Sequence, residues 1–267
     1  MSQNAAEYTN HVCPVCRAEH PRILGEGTLA ECRQCEFVYA RKIPDLDVLK
    51  QRQAAHPRNH CGDFHSQRRL ARRFKYWAFS KVIQCCCRKQ PVIHTLQLGC
   101  NEGLFLEAVE QNRRFRSTGL DWREKPVEYA LTHGYDAHLT DLKTLDYPDD
   151  SFDFVFGLRA PVLLHNPEQL MLELVRILKP GGFLFTVMPG GSRQRPPESD
   201  PQQLWAFTPK TLSRFAERFE LRTLRTLSFF RRGEVGLLAR KGEAVDVASI
   251  PRWMGPEFGN PTSSRAA

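Results

Sequence analysis

The sequence predicts an α/β fold with a mostly parallel sheet for most of the chain and a small zinc ribbon at its front. Three observations carry that expectation. From residue 91 onward, short apolar runs alternate with stretches of helical period, which implies parallel strands with helices on both faces. Four cysteines near the start form two C-x-x-C pairs with fifteen residues between them, the spacing of a tetrahedral structural zinc site. The excess positive charge is confined to the first third. Residues 1–90 carry 16 Lys and Arg against 8 Asp and Glu, whereas residues 91–267 carry 22 of each. The two parts are therefore expected to do different jobs.

Length and composition narrow the field. A chain of 267 residues accommodates one large domain, or one ordinary domain and a small module. With 41% hydrophobic and 25% charged residues, wholesale disorder is excluded. No apolar run approaches the ~18 residues that a membrane-spanning helix needs. The first residues lack a basic segment followed by an apolar core, so a secretory leader is not expected and a cytoplasmic location is. In a reducing compartment, nine cysteines serve as metal ligands or buried apolar groups more readily than as disulfides.

At the front, Cys13, Cys16, Cys32 and Cys35 are the expected zinc ligands. Each C-x-x-C turn converges two thiolates on one ion, and four ligands leave no open position, so this zinc holds structure. Gly25 and Gly27 supply the turn of a short hairpin between the pairs. Two redox-active or accidental pairs are the competing reading. Cys85, Cys86 and Cys87 point about 100° apart on a helix and cannot share one metal, so they read as helix filler. Cys61 with His56, His60 and His65 offers a further metal cluster, but an incidentally histidine-rich linker is the preferred reading. Residues 1–42 are taken as a tail and the zinc ribbon, and 43–90 as a linker and a basic amphipathic helix. In that helix Leu70, Phe74, Trp77, Ala78, Lys81 and Val82 recur at spacings of three and four, with arginines interleaved. Residues 91–241 form the main domain and 242–267 a loose tail.

The main domain reads in order as follows. Strand 92–98 precedes a helix over 103–112. Strand 116–120 precedes a helix over 125–133, and 137–139 is a short third strand. Strand 152–158 leads to a helix over 168–178, which Lys179-Pro180-Gly181-Gly182 ends before strand 183–187. A Pro, Gly and Ser-rich stretch, 189–203, precedes a helix over 209–218. Strands 221–229 and 234–240 flank Arg231-Arg232-Gly233 as a terminal antiparallel hairpin. The ribbon is expected to be dispensable for the domain, whose core lies outside it.

In an open α/β sheet, ligands bind beyond the carboxyl ends of the strands, where strand order reverses. The first strand of the domain runs into Leu98-Gly99-Cys100-Asn101-Glu102-Gly103. Gly99 and Gly103 permit a tight turn and let a ligand approach bare backbone. The spacing is not G-x-G-x-x-G, which disfavours a nicotinamide or flavin cofactor. Asp121 ends the second strand, where a carboxylate can accept from both ribose hydroxyls; capping the next helix is its bland alternative. Asp141 follows the third strand, where an adenine amino group can donate to it, or where it serves as a surface turn residue.

These segments resemble class I S-adenosylmethionine-dependent methyltransferases. The matching stretches are LQLGCNEG, TGLD, TDLKTLDYPDDSFDFVF, LLHNPEQLMLELVRILKPGGFLF and LWAFTPKTLSRFAERF. The front end, CPVCRAEH and ECRQCEFVYARKIP, resembles zinc ribbons fused ahead of such domains. The resemblance implies a Rossmann-like seven-stranded sheet that holds S-adenosylmethionine through Gln97, Gly99, Cys100, Asn101, Gly103, Asp121, Trp122, Asp141 and Leu142. Two positions depart from the pattern. Gln97 stands where the family usually has an acidic residue, and Asn101 stands where it has glycine, although asparagine tolerates a left-handed backbone.

The expected function is methyl transfer to an oxygen, nitrogen or carbon of a small-molecule or sugar intermediate, with the basic third suited to an anionic acceptor. His165, after the fourth strand, is the best-placed candidate for a general base, and a structural histidine of that loop is its alternative. Two competing functions are carried. One is an RNA methyltransferase that grips phosphates with the ribbon and the Arg-rich helix. The other is a non-catalytic ribbon module with a degenerate methyltransferase domain.

Overall fold

The computed structural model of the chain describes residues 7–9, 12–24, 27–44, 48, 51, 68–140, 144–158, 166–191, 204–229 and 233–242. Among the described residues of the front third there are five short strands: β1 (Glu7–Thr9), β2 (Arg22–Leu24), β3 (Leu29–Glu31), β4 (Val38–Ala40) and β5 (Lys42–Pro44). A long helix, α1 (Arg68–Cys86), leads into the main sheet. There follow β6 (Ile93–Leu98), α2 (Leu104–Val109), β7 (Phe115–Asp121), α3 (Glu124–Thr132), β8 (Ala137–Leu139) and β9 (Phe152–Leu158). The last third holds α4 (Pro167–Ile177), β10 (Leu178–Pro189), β11 (Trp205–Ala206), α5 (Pro209–Glu217), β12 (Leu221–Phe229) and β13 (Glu234–Lys241).

Seven strands form the main sheet in the order β12-β13-β10-β9-β6-β7-β8. The pairs β7–β8, β6–β7, β6–β9 and β9–β10 are parallel, and β13 lies antiparallel between β10 and β12. The chain moves one way from β6 to β7 and β8, and the other way from β9 onward. The crevice between the tips of β6 and β9 is thus the topological switch point. This is the Rossmann-like seven-stranded sheet with a terminal hairpin that the sequence predicts.

Local chemistry explains the helix starts. Asn166 caps α4 by accepting from the Gln169 backbone N–H at 3.1 Å, with Pro167 following at the first helical position. Thr208 and Thr211 form a reciprocal capping box ahead of α5. The Lys179-Pro180-Gly181-Gly182 stretch differs from its reading as a break between helix and strand. It lies inside β10, where the register shifts between Leu178 and Phe183. Gly181, at φ +75°, supplies the left-handed residue of that bulge.

The front end departs further from the compositional division. Residues 7–9, within the stretch read as a tail, pair antiparallel with 42–44. The ribbon hairpin β2–β3 forms as expected, with Gly27 at φ +88° in its turn. Its sheet, however, runs β11-β4-β3-β2, so a strand from beyond β10 completes it. Phe37 stacks on Trp205 and packs against Phe207, and Phe207 packs against Phe215 of α5. Cys13, Phe37, Tyr39 and Ile43 share one buried cluster with Leu96, Leu174, Leu184 and Leu237 of the main domain. The expectation of a domain core lying outside the ribbon is therefore corrected. Apolar side chains of the ribbon found their burial on the larger body, because so small a module cannot enclose them.

The opposite face of the sheet has its own cluster. Phe79 of α1 meets Phe154, Phe156 and Phe185, and Phe105 of α2 meets Phe115 and Phe156. Cys87 is buried in that cluster, consistent with its reading as filler. His56, His60, Cys61 and His65 lie outside the described residues.

Candidate functional site

Two constellations stand out. At the front, the Sγ atoms of Cys13, Cys16, Cys32 and Cys35 all lie within 4.8 Å of one another. Cys13 and Cys35 approach to 3.6 Å, and Cys16 and Cys32 to 3.4 Å. Those separations exceed the roughly 2.05 Å of a disulfide. They suit four sulfurs that share one ion at about 2.3 Å each.

The two knuckles are built alike. The Arg17 N–H donates to the Cys13 carbonyl and the Glu36 N–H to the Cys32 carbonyl. Arg17 and Glu36 both take a left-handed backbone, at φ 62° and 61°. This strained position is invisible in the sequence, where glycine would have marked it. Accepting a hydrogen bond from Cys13 holds the Cys35 thiol down, to about 5, while the Cys13 thiol is pushed up. The chemistry of this donor set fits zinc.

The second constellation sits at the strand tips. Backbone N–H groups of Gly99 and Cys100 both donate to the Leu120 carbonyl, at 2.7 and 2.9 Å, folding the turn after β6 against the tip of β7. Gly99, Asn101 and Gly103 all have positive φ, at 70°, 51° and 74°. Asn101 thus performs locally what glycine would, its Nδ2 donating to the Gly99 carbonyl at 2.9 Å. Gly119 is required by close approach, since a Cβ there would lie 2.6 Å from the Cβ of Cys100. Cys100 is buried, which pushes its thiol up and makes it a packing group. The Thr140 N–H donates to the Asp121 carbonyl, bringing the end of β8 to the same edge.

Asp121 is fully buried, with all four lone-pair positions engaged. Its Oδ1 accepts from the Arg123 backbone N–H at 3.1 Å and from Arg123 Nε at 3.0 Å. Its Oδ2 accepts from the Asn101 N–H at 2.9 Å and from Arg123 Nη2 at 3.0 Å. The same Nη2 reaches Asn101 Oδ1 at 2.5 Å. Arg123, and not Asp121, is the residue at the cap position of α3. Sequence reading missed Arg123. An Asp-x-Arg triplet signals a local turn, but nothing in it shows that the guanidinium folds back over the carboxylate.

Gln97 presents the complementary situation. It is buried on β6, and its Oε1 has no hydrogen-bond partner among the described residues. An unpaired buried acceptor next to a glycine turn needs an explanation. An incoming donor provides one. Trp122 is half-buried beside Arg123, whose guanidinium lies 5.8 Å from its ring. The structure thus gathers Gln97, Gly99, Cys100, Asn101, Gly103, Asp121 and Trp122 at one edge. Asp141, Leu142 and His165 lie outside the described residues.

A further network joins the two constellations' domains. Glu168, in the first turn of α4, pairs with Arg17 of the first knuckle at 2.8 Å and with Arg218 beyond α5. Arg218 also donates to the Pro14 carbonyl. This network ties the first cysteine knuckle to the helix that starts beyond the tip of β9.

Fold and site together define a class: a doubly wound α/β domain with a glycine turn and a strand-tip carboxylate at the switch point. Comparison with known families places a methyltransferase domain on residues 96–186, the stretch that contains both. Among curated proteins, the chain is 28% identical to a phosphatidylethanolamine N-methyltransferase of Cereibacter sphaeroides, over 44% of this chain and 66% of that protein. It is 30% identical to a sterol 24-C-methyltransferase of Yarrowia lipolytica, over 42% of this chain and 30% of that protein. It is 31% identical to a 27-O-demethylrifamycin SV methyltransferase of Amycolatopsis mediterranei, over 36% and 40%. The chain thus spans less than two thirds of each relative.

Solved structures that share the fold include two with more than half of this chain superposed. One is the [4+2]-cyclase SpnF, with a TM-score of 0.52 at 18% identity, over 63% of this chain and 82% of that one. The other comes from a complex between a Haloferax volcanii methyltransferase activator and a methyltransferase, with a TM-score of 0.51 at 18% identity, over 66% and 94%. A cyclase among them shows that this fold alone does not fix the reaction.

Proposed function

We propose that this chain transfers the methyl group of S-adenosylmethionine to an oxygen, nitrogen or carbon of a small-molecule acceptor, with a structural zinc ion on Cys13, Cys16, Cys32 and Cys35. The observation that carries the reading is the coincidence of the methyltransferase-domain match with the glycine turn and Asp121 at the switch point. The relatives' names span N-, C- and O-methylation of small molecules, which supports the acceptor class.

The cofactor supplies an already activated methyl group on a sulfonium centre. The protein's task is to orient the acceptor and exclude water. The unpartnered Oε1 of Gln97 suits the methionine ammonium, and Gly99 and Gly103 are proposed to bring bare backbone to the ligand. Asp121 can accept from ribose hydroxyls once the Arg123 side chain withdraws and frees two of its lone pairs. Asp141 and Leu142 are proposed for the adenine edge, and His165 for taking a proton from an oxygen or nitrogen acceptor.

Calorimetry with S-adenosylmethionine tests this reading. Wild-type protein should bind, and Gln97→Glu should bind more tightly, because a carboxylate accepts from an ammonium more strongly than an amide does. Asp121→Ala should weaken binding by roughly 1.5–3 kcal/mol. Absence of wild-type binding would support the second reading, a non-catalytic ribbon module. The full occupation of Asp121 by Arg123 and Asn101 is the observation that favours that alternative.

A further inference from the structure

The outer face of α1 has a composition that neither the core nor the strand-tip site uses. Its inner face is spent on packing, with Ser80, Val82 and Ile83 buried and Phe79 among the sheet phenylalanines. Yet Phe74 and Trp77 are 66% and 46% exposed. Their rings stack at 5.5 Å, and Lys81 Nζ sits 5.2 Å from the Trp77 ring. On a helix, Phe74 lies one turn before Trp77 and Lys81 one turn after it. The indole is therefore flanked along the helix axis by an aromatic ring and a cation. Residues 66–91 contain eight Lys and Arg and no Asp or Glu. Arg73, Lys75, Lys81, Arg88 and Lys89 are exposed. Arg73 lies 3.3 Å from Glu107 of α2, the helix that follows the glycine turn.

From this arrangement we propose that the outer face of α1 docks on an anionic lipid surface, with Phe74 and Trp77 entering the headgroup region and the surrounding cations meeting lipid phosphates. Exposed aromatic rings beside cations, on a helix that carries no acid of its own, suit an interfacial surface. A nucleic acid would meet the same cations, but stacked bases need free ring faces, and here neighbours flank the Trp77 ring. Because α1 packs against α2, docking holds the glycine-turn edge of the sheet close to the lipid. The docking itself does not depend on the methyl-transfer reading.

Co-sedimentation with vesicles tests it. The full chain should pellet with phosphatidylglycerol–phosphatidylcholine vesicles and stay in solution with phosphatidylcholine alone. Phe74→Ser with Trp77→Ser should reduce partitioning by roughly tenfold or more, and Lys75→Glu with Lys81→Glu by a similar factor. Both pairs lie on the outer face of α1, so zinc content should match wild type and each variant should still unfold in one cooperative transition. Failure of the wild type to pellet with anionic vesicles would overturn the proposal. So would partitioning unchanged in the Phe74/Trp77 variant, or total RNA that releases the protein from vesicles while binding both aromatic forms equally. Vesicle binding without S-adenosylmethionine binding would sink the catalytic reading and leave the docking surface standing.

Discussion

The cysteine cluster and the strand-tip turn are both built from short local motifs, yet they are prepared for their ligands in opposite ways. At the cluster, four sulfurs converge with no other side chain competing for them among the described residues. At the strand tips, the best acceptor is taken by Arg123, and the neighbouring buried acceptor, Gln97 Oε1, has nothing. Within each C-x-x-C pair the turn sets the two donors, and the short β2–β3 hairpin brings the pairs together. A site gathered from three strands inherits whatever else those strands bring. Arg123 is the clearest such passenger.

The largest expected effect breaks the first site. Cys32→Ser with Cys35→Ser should abolish binding of one zinc equivalent, measured by elemental analysis of protein purified without added metal. Because Phe37, Trp205 and Phe207 join the ribbon to the main core, the loss should propagate. A cost of several kcal/mol should lower the melting temperature of the whole chain by roughly 10 °C or more, in a single transition. Two separate transitions, with the upper one unshifted, would show that the shared core does not couple the two parts.

A smaller effect is expected at the second site, from Gly119→Ala. The added Cβ meets Cys100 at 2.6 Å, so the turn must shift. Overpacking of this kind costs about 1–3 kcal/mol, readable in urea unfolding. Adding Cys100→Gly should recover most of the loss. Recovery by less than half would mean that the strain lies in the strand and not in that contact.

Arg123→Ala sharpens the comparison directly. Removing the guanidinium frees two acceptor positions on Asp121, so S-adenosylmethionine affinity should rise by up to roughly tenfold, about 1.4 kcal/mol. Folding stability should fall, because a buried carboxylate loses its counter-charge. Arg123→Lys keeps a charge without the two-pronged fit and should fall between the two. Weaker binding in the alanine variant would make Arg123 a ligand contact and not a competitor.

Much of this molecule was legible in its sequence. The strands from residue 92 to 240 and their intervening helices follow from hydrophobic period and turn residues. Most boundaries shift by only one or two positions, because caps such as Asn166-Pro167 and Thr208-Pro209 are local chemistry. The four cysteines announced their cluster because C-x-x-C spacing is itself the geometry. Tertiary structure decided the rest. Strand order placed Gln97, Asn101 and Asp121 on one edge, and that setting leaves one acceptor orphaned and another saturated. Residues 205–206 joined the ribbon sheet, an arrangement no local pattern encodes because β11 lies more than 160 residues from β4. Hydrophobic period tells which face of an element is buried. Which partner buries it, and which buried polar group is left without one, depends on contacts between residues far apart in the chain.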